Sequence, residues 1–348
     1  MNPVAHSRAA RRSGYRSAIV SAIGLVSIAS AALLAAGCGK AGSSGTQAPA
    51  SAAAAGGCAP VAGTQLVALA DDKKLQTVDN IIPAVNAKAV KPGLLEALNK
   101  VSAALDTPKL ISLNKATDVD HQSSPAAAAA FATANNLTAG ITKGAGGKVT
   151  IGAANFAENQ TVAELYKIAL NAAGFTATVQ TVGNRELYEP ALEKGQLQVV
   201  PEYAGTLTEF LNPKVNGANP SPLASSDLDA TVTQLKNLGT KVGLVFGDPA
   251  QAADQNAFAV TKPFADKYGV TTLSEFASKC SGKETILGGP PECPQRPFCE
   301  VGLQKTYGIT FGSFKSLDSA GSQTKNALRT GTISIGLVLS SDAELAAS

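Results

Sequence analysis

An alternation of strand and helix patterns between residues 148 and 203 constrains the fold more than any other feature of this sequence. The run "KVTIGAA" is rich in β-branched residues and closes on small ones, as a buried strand does. Val162, Leu165, Tyr166 and Ala169 then recur at helical spacing, and the glycine of "AAGF" ends the predicted helix. "TATVQTV", "RELYEPALEKG" and "QLQVVPEY" continue as strand, helix and strand. This order predicts a parallel α/β unit.

Ligand-binding residues of a parallel α/β unit lie at the carboxyl ends of its strands, here around residues 155, 184–185 and 202–206. A similar alternation returns from about residue 246. "VGLVFGDPA" and "NAFAVTK" read as strands, "LSEFASK" as a helix and "ETILGGPPE" as a strand that runs into a loop. "VGLQKTYG" and "QTKNALRTG" are predicted helices before the final apolar strand. We therefore predict a second, smaller α/β lobe over residues 246–348.

The segment from residue 60 to 137 has a different character. "QLVALADD" and "NIIPAVNAK" read as strands, and they are followed by the helical stretches "KPGLLEALNKVSAAL", "TPKLISLNKA" and "PAAAAAFATANN". This pattern favours a helical cap over a nucleotide-binding unit. The Gly/Thr-rich run "TAGITKGAGG" after it, residues 138–147, is a loop or linker.

The N-terminal region carries an export pattern. Arg11, Arg12 and Arg16 precede an uncharged run from Ile19 to Ala36, and small residues follow. A positive segment, an apolar segment and a small-residue end together are typical of a secretory signal. A transmembrane anchor is the alternative, because the run approaches spanning length. Its Ala, Ser and Gly content is weakly hydrophobic for that role, so the sequence favours a signal peptide.

The end of this segment, "LLAAGCGK", resembles a bacterial lipobox, in which Cys38 would be lipidated and become the new N-terminus. The usual leucine three places before the cysteine is replaced by Ala35, with Leu34 one place too early. Residues 39–57 are rich in Ala, Gly and Ser and cannot pack a core. Such a tether reaches about 25 Å. The pattern predicts an extracytoplasmic protein held at the membrane surface by a lipid anchor.

Four further cysteines fit an oxidising compartment. Cys293 and Cys299 bracket the Pro-rich loop "CPQRPFC" and form the natural disulfide pair, and Cys58 with Cys280 follows by elimination. We expect the second disulfide to tie the two lobes together. Metal binding is the competing interpretation, but neither C-x-x-C spacing nor neighbouring histidines support it.

Catalytic signals are sparse. After the predicted signal the only histidine is His121, in the polar stretch "DVDHQSSP", and the sequence has no G-x-S-x-G, phosphate-loop or H-E-x-x-H motif. The lysines are scattered, mostly near acidic residues, which gives no support for nucleic-acid binding. We predict a protein that is not an enzyme and needs no metal or other cofactor.

Long motifs resemble one known family. "VTIGAANFAENQTVAELY", "GNRELYEPALEKGQLQVVPEYAGTLTEFL" and "LGGPPECPQRPFCEVGLQKTYGITF" are similar to the substrate-binding proteins of osmoprotectant ABC importers, which take up glycine betaine, choline or carnitine. "SLDSAGSQTKNALRTGTISIGLVLSSDAEL" resembles the stretch that follows in that family. The resemblance runs in order from about residue 148 to 348. It implies a lipoprotein that captures a small quaternary-ammonium or zwitterionic solute and delivers it to the permease subunits. It also implies that the protein is a monomer.

The order of the motifs differs from the family's order. Relatives continue after the "SSDAEL" motif with a strand like "QLVALADDKK", then with "NIIPAVNAK" and "LLEALNKVSAAL", which here stand at residues 65, 80 and 94. The chain therefore resembles a circular permutant, with the family's two ends joined through "TAGITKGAGG". Permutation is tolerated where termini lie close together at the surface. The alternative is that residues 60–137 form an unrelated helical domain.

The resemblance implies a two-lobed α/β fold, periplasmic-binding-protein-like and of type II, circularly permuted and closing on its ligand. The predicted organisation is a signal peptide (1–38), a tether (39–57), a first lobe (58–245, made of 60–137, the joint 138–147, and 148–245) and a second lobe (246–348).

The resemblance also carries ligand-binding residues over to this sequence. A quaternary ammonium offers no hydrogen bond, so aromatic faces recognise it, and Tyr203 matches the family's cage tyrosine. Tyr188 is ambiguous between core and site. The other positions carried over, polar ones and one phenylalanine, are Asn155, Phe156, Asn159, Arg185, Thr206, Arg296, Ser340 and Ser341.

Two positions depart from the family pattern. Asn256 and Asp79 stand where relatives carry further cage tyrosines, so a full tyrosine box cannot be assembled. Asp79 can still attract a cation, and Phe156 or Phe258 can supply an aromatic face. Binding of another small polar solute, or a sensing or adhesion role without transport, therefore remains as an alternative. An enzyme on a similar scaffold is the less favoured class.

Overall fold

The computed structural model describes residues 56–346, for residue 346 the backbone alone. Two five-stranded sheets form the framework. The strands are β1 (Leu66–Leu69), β2 (Ile81–Asn86), β3 (Gly147–Ala154), β4 (Phe175–Gly183), β5 (Val199–Tyr203), β6 (Leu244–Phe246), β7 (Asn256–Thr261), β8 (Gly282–Gly289), β9 (Phe311–Ser316) and β10 (Ile335–Leu339).

Helices cover both sheets, and each sheet with its helices forms one lobe. The helices are α1 (Leu94–Ala104), α2 (Thr107–Asn114), α3 (Ser124–Ala134), α4 (Ala157–Ala172), α5 (Arg185–Glu193), α6 (Ala204–Asn216), α7 (Leu228–Val242), α8 (Lys262–Tyr268), α9 (Leu273–Cys280), α10 (Glu300–Gly302), α11 (Ser322–Arg329) and α12 (Ala343–Ala346). The mixed α/β architecture with two sheets confirms the predicted fold class.

The first sheet has the order β4-β3-β5-β2-β6. Strands β4 and β5 run parallel to β3, as the strand–helix alternation predicts, and β2 runs antiparallel to both β5 and β6. Every residue of β2 is buried, because helices and loops cover both faces of this interior strand. Because β3 and β5 are parallel, their carboxyl ends lie on the same edge of the sheet.

The second sheet has the order β1-β7-β10-β8-β9, with β7 antiparallel to β1 and β10. The predicted first lobe, residues 58–245, is therefore wrong at its start, because β1 pairs with β7 of the second lobe. The predicted second lobe also starts too early, since β6 belongs to the first sheet. A short apolar strand does not encode which sheet it joins, so the sequence pattern alone could not place β1.

The chain passes between the lobes twice within the described residues, at 77–80 and at 247–255. The two passages lie side by side: the backbone N–H of Asp254 donates to the carbonyl oxygen of Asp79 (3.0 Å), and Asn80 forms an antiparallel bridge with Ala253. The Asn80 side chain also donates to the Ala250 carbonyl oxygen (2.8 Å). One pair of hydrogen-bonded segments therefore connects the lobes.

Residues 60–137 are integrated into the two lobes. Strand β2 lies in the first sheet, and α1, α2 and α3 all pack against α4. Buried side chains such as Leu98 on α1 and Leu165 on α4 share one apolar core. This packing argues against an unrelated helical domain.

The predicted joint 138–147 is a tightly packed loop. Gly144 donates to the Ala173 carbonyl oxygen (2.8 Å), and Ala145 donates to that of Pro92 (2.9 Å). Gly93 precedes α1 with a φ of 84°, and a Cβ atom there would lie 2.5 Å from the Cα atom of Gly144. Both glycines are needed because the two backbones approach too closely for a side chain.

Two disulfides join the expected cysteine pairs, Cys58 with Cys280 and Cys293 with Cys299. The expectation that the first pair ties the lobes is wrong, because all four cysteines belong to the second lobe's core. The Cys58 disulfide instead fixes the segment before β1 to the end of α9. This correction follows from the placement of β1 in the second sheet.

The predicted signal peptide, the lipidation site Cys38 and nearly all of the tether lie outside the described residues. Within residues 56–346, no helix combines the length and the apolar character that crossing a membrane requires.

Candidate functional site

A cavity of about 100 Å³ lies between the two lobes. The first lobe contributes the turn after β3, the start of α5 and the start of α6 to its walls. The second lobe contributes the start of β7, the loop closed by the Cys293–Cys299 disulfide, and the end of β10. The strand ends converge here as expected for an α/β fold.

Eight of the eleven predicted ligand-binding residues line this cavity. They are Asp79, Asn155, Phe156, Arg185, Tyr203, Thr206, Asn256 and Arg296. The structure brings these positions together from segments up to 217 residues apart, because both lobes direct them at one cleft.

Three predicted residues, Asn159, Ser340 and Ser341, lie outside the cavity walls. Asn159 is fully buried and accepts a hydrogen bond from the Ala154 N–H (2.8 Å) while donating to the Pro201 carbonyl oxygen (2.9 Å). It therefore fixes the turn that presents Asn155 and Phe156. The exposed Ser340 hydroxyl accepts from the Gln255 N–H (2.8 Å), which leaves it beside the second passage.

Aromatic faces form one component of the cavity: Phe156, Tyr188, Tyr203, Phe210 and Phe298. The rings of Phe156 and Tyr203 stack with their centroids 6.2 Å apart and their planes at 30°. Rings around a cavity offer their electron-rich faces to a cation. Phe258, the other candidate for an aromatic face, is buried in the core of the second lobe.

The sequence pattern does not mark Phe210 and Phe298 as cavity residues, and it leaves Tyr188 ambiguous between core and site. Phe210 lies one helical turn after Thr206 on α6, so the two side chains share a face. That spacing is a usable signal once the start of the helix is known. Phe298 lies two residues after Arg296 inside the disulfide loop, where no periodic pattern marks it.

Carboxyl groups form the second component: Asp79, Glu209, Asp254 and Glu292. Asp79 accepts hydrogen bonds from the backbone N–H groups of Gly205 (2.8 Å) and Thr206 (2.9 Å), so it sits at the N-terminus of α6. Burial raises the pKa of Asp79 to about 7, against the lowering effect of Thr206 and Arg185. This group therefore changes its charge near neutral pH.

The two arginines of the cavity wall are both paired. Arg185 forms a bidentate salt bridge with Glu202 (Nη2 to Oε2, 2.7 Å; Nε to Oε1, 2.9 Å) and also donates to the Thr206 hydroxyl (2.8 Å). Arg296 of the second lobe pairs across the cleft with Glu186 of α5 (2.8 and 3.1 Å). The second pair holds the lobes together at the cleft.

A buried polar cluster behind Tyr203 also joins the lobes. The Glu158 carboxyl group accepts from the Tyr203 hydroxyl (2.8 Å), the Ser341 hydroxyl (2.7 Å) and the Asn114 amide (2.6 Å). The Ser341 backbone N–H donates to Asp254 (3.0 Å). Burial raises the pKa of Glu158, and burial together with Glu158 raises the pKa of Asp254 well above its usual range. Burial therefore opposes ionisation of both carboxyl groups.

Two α/β lobes around a cavity of aromatic and carboxyl groups define a bilobal solute-binding protein. The family model for the substrate-binding domain of ABC-type glycine betaine transport systems (OpuAC) matches residues 59–134 and 147–348, and the chain belongs to that family. The protein is thus a binding component of an osmoprotectant ABC transporter and not an enzyme. Such domains work outside the cytoplasm with a small-molecule ligand and permease subunits as partners.

A glycine betaine/carnitine/choline ABC transporter structure is 22% identical, covers 57% of this chain and 71% of its own, and superposes with a TM-score of 0.35. Haemophilus influenzae OppA in complex with the peptide RPPGFSPFR is 12% identical over 57% of this chain and 46% of its own, with a TM-score of 0.24. No curated protein sequence gives a significant match.

Proposed function

We propose that this protein captures a small quaternary-ammonium osmoprotectant, of the glycine betaine, choline or carnitine class, in the cavity between its lobes. The observation that carries this proposal is the meeting of five aromatic side chains and four carboxyl groups around a single small cavity. Each cation–π contact contributes about 0.5–2 kcal/mol, and a carboxylate nearby adds Coulomb attraction. The quaternary head lies against Tyr203 and Phe156, with Asp79 on the side of α6.

The remaining cavity residues orient the solute. Asn155 is exposed at the turn after β3, and Asn256 donates to the Phe298 carbonyl oxygen (3.2 Å), which leaves its amide oxygen available. Thr206 already bonds to Arg185, so its hydroxyl acts through that arginine. Asn159, Ser340 and Ser341 position the walls. Their role in binding is therefore indirect.

Calorimetric titration with glycine betaine, choline, carnitine and proline betaine tests the proposal. We expect saturable binding of at least one of these solutes. Replacement of Tyr203 by Ala removes a buried ring and is expected to lower the affinity about tenfold or more, which corresponds to about 1.4 kcal/mol. The Tyr203→Phe variant keeps the ring but loses the hydroxyl donor to Glu158, so it separates the contribution of the aromatic face from that of the hydroxyl group.

Two outcomes would contradict the proposal. Absence of heat and of any thermal shift with all four solutes would reject the ligand class, and the alternatives of another polar solute or a sensing role would take its place. An unchanged affinity in Tyr203→Ala would reject the placement of the ligand. Thermal unfolding of the ligand-free variants checks that both remain folded.

We further propose that the mature protein is a monomer anchored through a lipidated Cys38. The anchor is supported by the lipobox-like sequence and the low-complexity residues after it. Mass spectrometry of the N-terminal peptide is expected to show a diacylglyceryl group on Cys38. A Cys38→Ser variant is expected to leave the membrane fraction, and its retention there would support the transmembrane anchor instead.

The circular permutation is also a proposal. It is supported by the match of the family model in two segments on either side of residues 135–146. Helix α12 packs against β1, and the Arg329 side chain donates to the Thr64 carbonyl oxygen (3.2 Å) while it pairs with Glu344 of α12. The two segments that the family order would join, the one after β10 and the one before β1, are therefore neighbours in space.

A further inference from the structure

The cavity differs from a site built for a zwitterion in its balance of charge. A solute that carries a carboxylate beside its quaternary head needs a cationic or other strong donor at that end. Arg185 and Arg296 are the cationic side chains on the wall within the described residues, and each is held in a bidentate pair by a glutamate of its own. Neither arginine therefore brings an uncompensated positive charge to the ligand.

The acidic side of this balance is larger. The wall carries four carboxyl groups, and Glu202 and Glu186 add the two that neutralise the arginines. Glu209 accepts hydrogen bonds from the backbone N–H groups of Leu223 (2.6 Å) and Ala224 (2.7 Å) and has no salt-bridge partner within 4 Å among the described residues. Even with Asp79 and Asp254 both neutral, the surroundings of the cavity retain an excess of negative charge.

We propose that the cavity selects quaternary ammonium cations without a carboxylate, of the choline type, over zwitterions of the betaine type. This inference rests on the proposed function and adds the charge of the solute to it. A carboxylate in the cavity would lose its hydration and meet excess negative charge, whereas a hydroxyl-bearing cation meets attraction alone. Asp79 lies on the wall without a salt-bridge partner within 4 Å among the described residues, so the charge of its carboxylate is available to a bound cation.

Choline and glycine betaine form a matched pair of probes, since they share the trimethylammonium head and differ in a hydroxymethyl group against a carboxylate. Calorimetric titration of the wild-type protein at about pH 8, above the pKa of Asp79, is expected to give choline the higher affinity by about tenfold or more. An equal or higher affinity for glycine betaine overturns this inference and leaves the proposed function standing. Binding of none of the four solutes overturns this inference with its premise. Binding of carnitine or proline betaine alone overturns the inference but preserves the proposed ligand class.

The Asp79→Asn variant tests the cause of the selectivity. Asparagine keeps a side-chain oxygen for the Gly205 and Thr206 N–H groups, so the start of α6 is preserved while the charge is lost. The affinity for choline is expected to fall more than that for glycine betaine, reducing their ratio about threefold or more. Asp266→Asn on the exposed face of α8 is the matched control and is expected to leave the ratio unchanged. An unchanged ratio in Asp79→Asn overturns the assignment of selectivity to this carboxylate.

Discussion

The Tyr203 hydroxyl donates a hydrogen bond to Oε1 of Glu158 at 2.8 Å, which joins the aromatic wall of the cavity to a buried cluster between the lobes. The other carboxyl oxygen of Glu158 accepts from Ser341, which follows β10 in the second lobe. A single carboxyl group therefore contacts both the wall residue and the opposite lobe. Through it, Tyr203 is linked by hydrogen bonds to the opposite lobe.

We predict that Ser341→Ala weakens solute binding. The change removes one of the three hydrogen-bond donors to the buried Glu158 carboxyl group. It is expected to destabilise the closed arrangement of the lobes by about 1–3 kcal/mol. The expected result is a loss of affinity of roughly tenfold by calorimetry, since binding requires that arrangement. Ser278→Ala, at an exposed position of α9 away from the cavity wall, is the control and should bind normally. Equal affinities in the two variants would show that the Ser341 contact does not support closure.

Affinity for a cationic solute should rise with pH through about 7. Asp79 is neutral below its pKa and ionised above it, and a bound cation favours the ionised form, so binding releases a proton. The charged groups that face Asp79 are Arg185, Glu202 and Asp254, and the raised pKa of Asp254 gives a change of the same sign. Titrations at about pH 6 and about pH 8 measure the effect, and Asp79→Asn should weaken it.

The same group predicts the pH dependence of stability without ligand. Its pKa is raised on folding, so between about pH 4 and about pH 7 the folded protein binds more protons than the unfolded chain. Its contribution to the free energy of unfolding is therefore lost as the pH rises through about 7. Thermal unfolding of wild type and Asp79→Asn across this range should show a smaller decline in the variant. Parallel curves would contradict the assignment.

The two disulfides should affect different properties. Cys58 and Cys280 are 222 residues apart, so their crosslink restricts the unfolded chain far more than the six-residue separation of Cys293 and Cys299. Loop-closure entropy gives about 5 kcal/mol for the first and about 2 kcal/mol for the second. Replacing the first pair by serine should lower the melting temperature more.

Ligand affinity should respond in the opposite order. The Cys293–Cys299 loop holds Arg296 and Phe298 at the cavity, whereas the Cys58 disulfide lies away from the cavity wall. Calorimetry on the two double-serine variants should therefore find the larger loss of affinity for the loop pair. Equal affinities would show that the loop keeps its shape without its crosslink.

Restoring the family's order should preserve the fold. A rearranged chain would run from residue 147 to 348, continue through a glycine–serine linker, and end with residues 57–137. We expect it to bind the same solute with similar affinity, because α12 and β1 already pack together. The natural order is the control. Failure to form both disulfides or to bind the solute would count against the permutation.

The strand–helix alternation predicted much of this architecture because buried parallel strands and amphipathic helices have distinct periods. The eight predicted residues that meet at the cavity follow strand ends or lie in motifs that resemble the family's. The assignment of β1 to the first lobe was wrong because strand pairing between distant segments decides it. The four residues of β1 fit either sheet by their pattern, and its pairing with β7 is set by tertiary contacts across nearly 200 positions.

Individual side chains of the site were harder to predict. Asp79 was predicted as a ligand contact at a cage position, yet its carboxyl group also caps α6, a helix that begins 125 residues later. Ser341 was predicted as a contact from its motif, but Asn114 and Glu158 engage it instead. These roles depend on which distant donors reach a buried carboxyl group. The local sequence pattern does not indicate which distant donors contact these carboxyl groups.

The paired passages between the lobes have a consequence for signalling to a membrane partner. Asp79 and Asp254 belong to the two backbone segments that connect the lobes in the described chain, and those segments are hydrogen-bonded to each other. Any pivoting of one lobe on the other must bend this two-stranded strap. A solute that alters the charge of either carboxyl group therefore acts directly on these two connecting segments. Solute binding and the relative orientation of the lobes are thus coupled at the segments themselves.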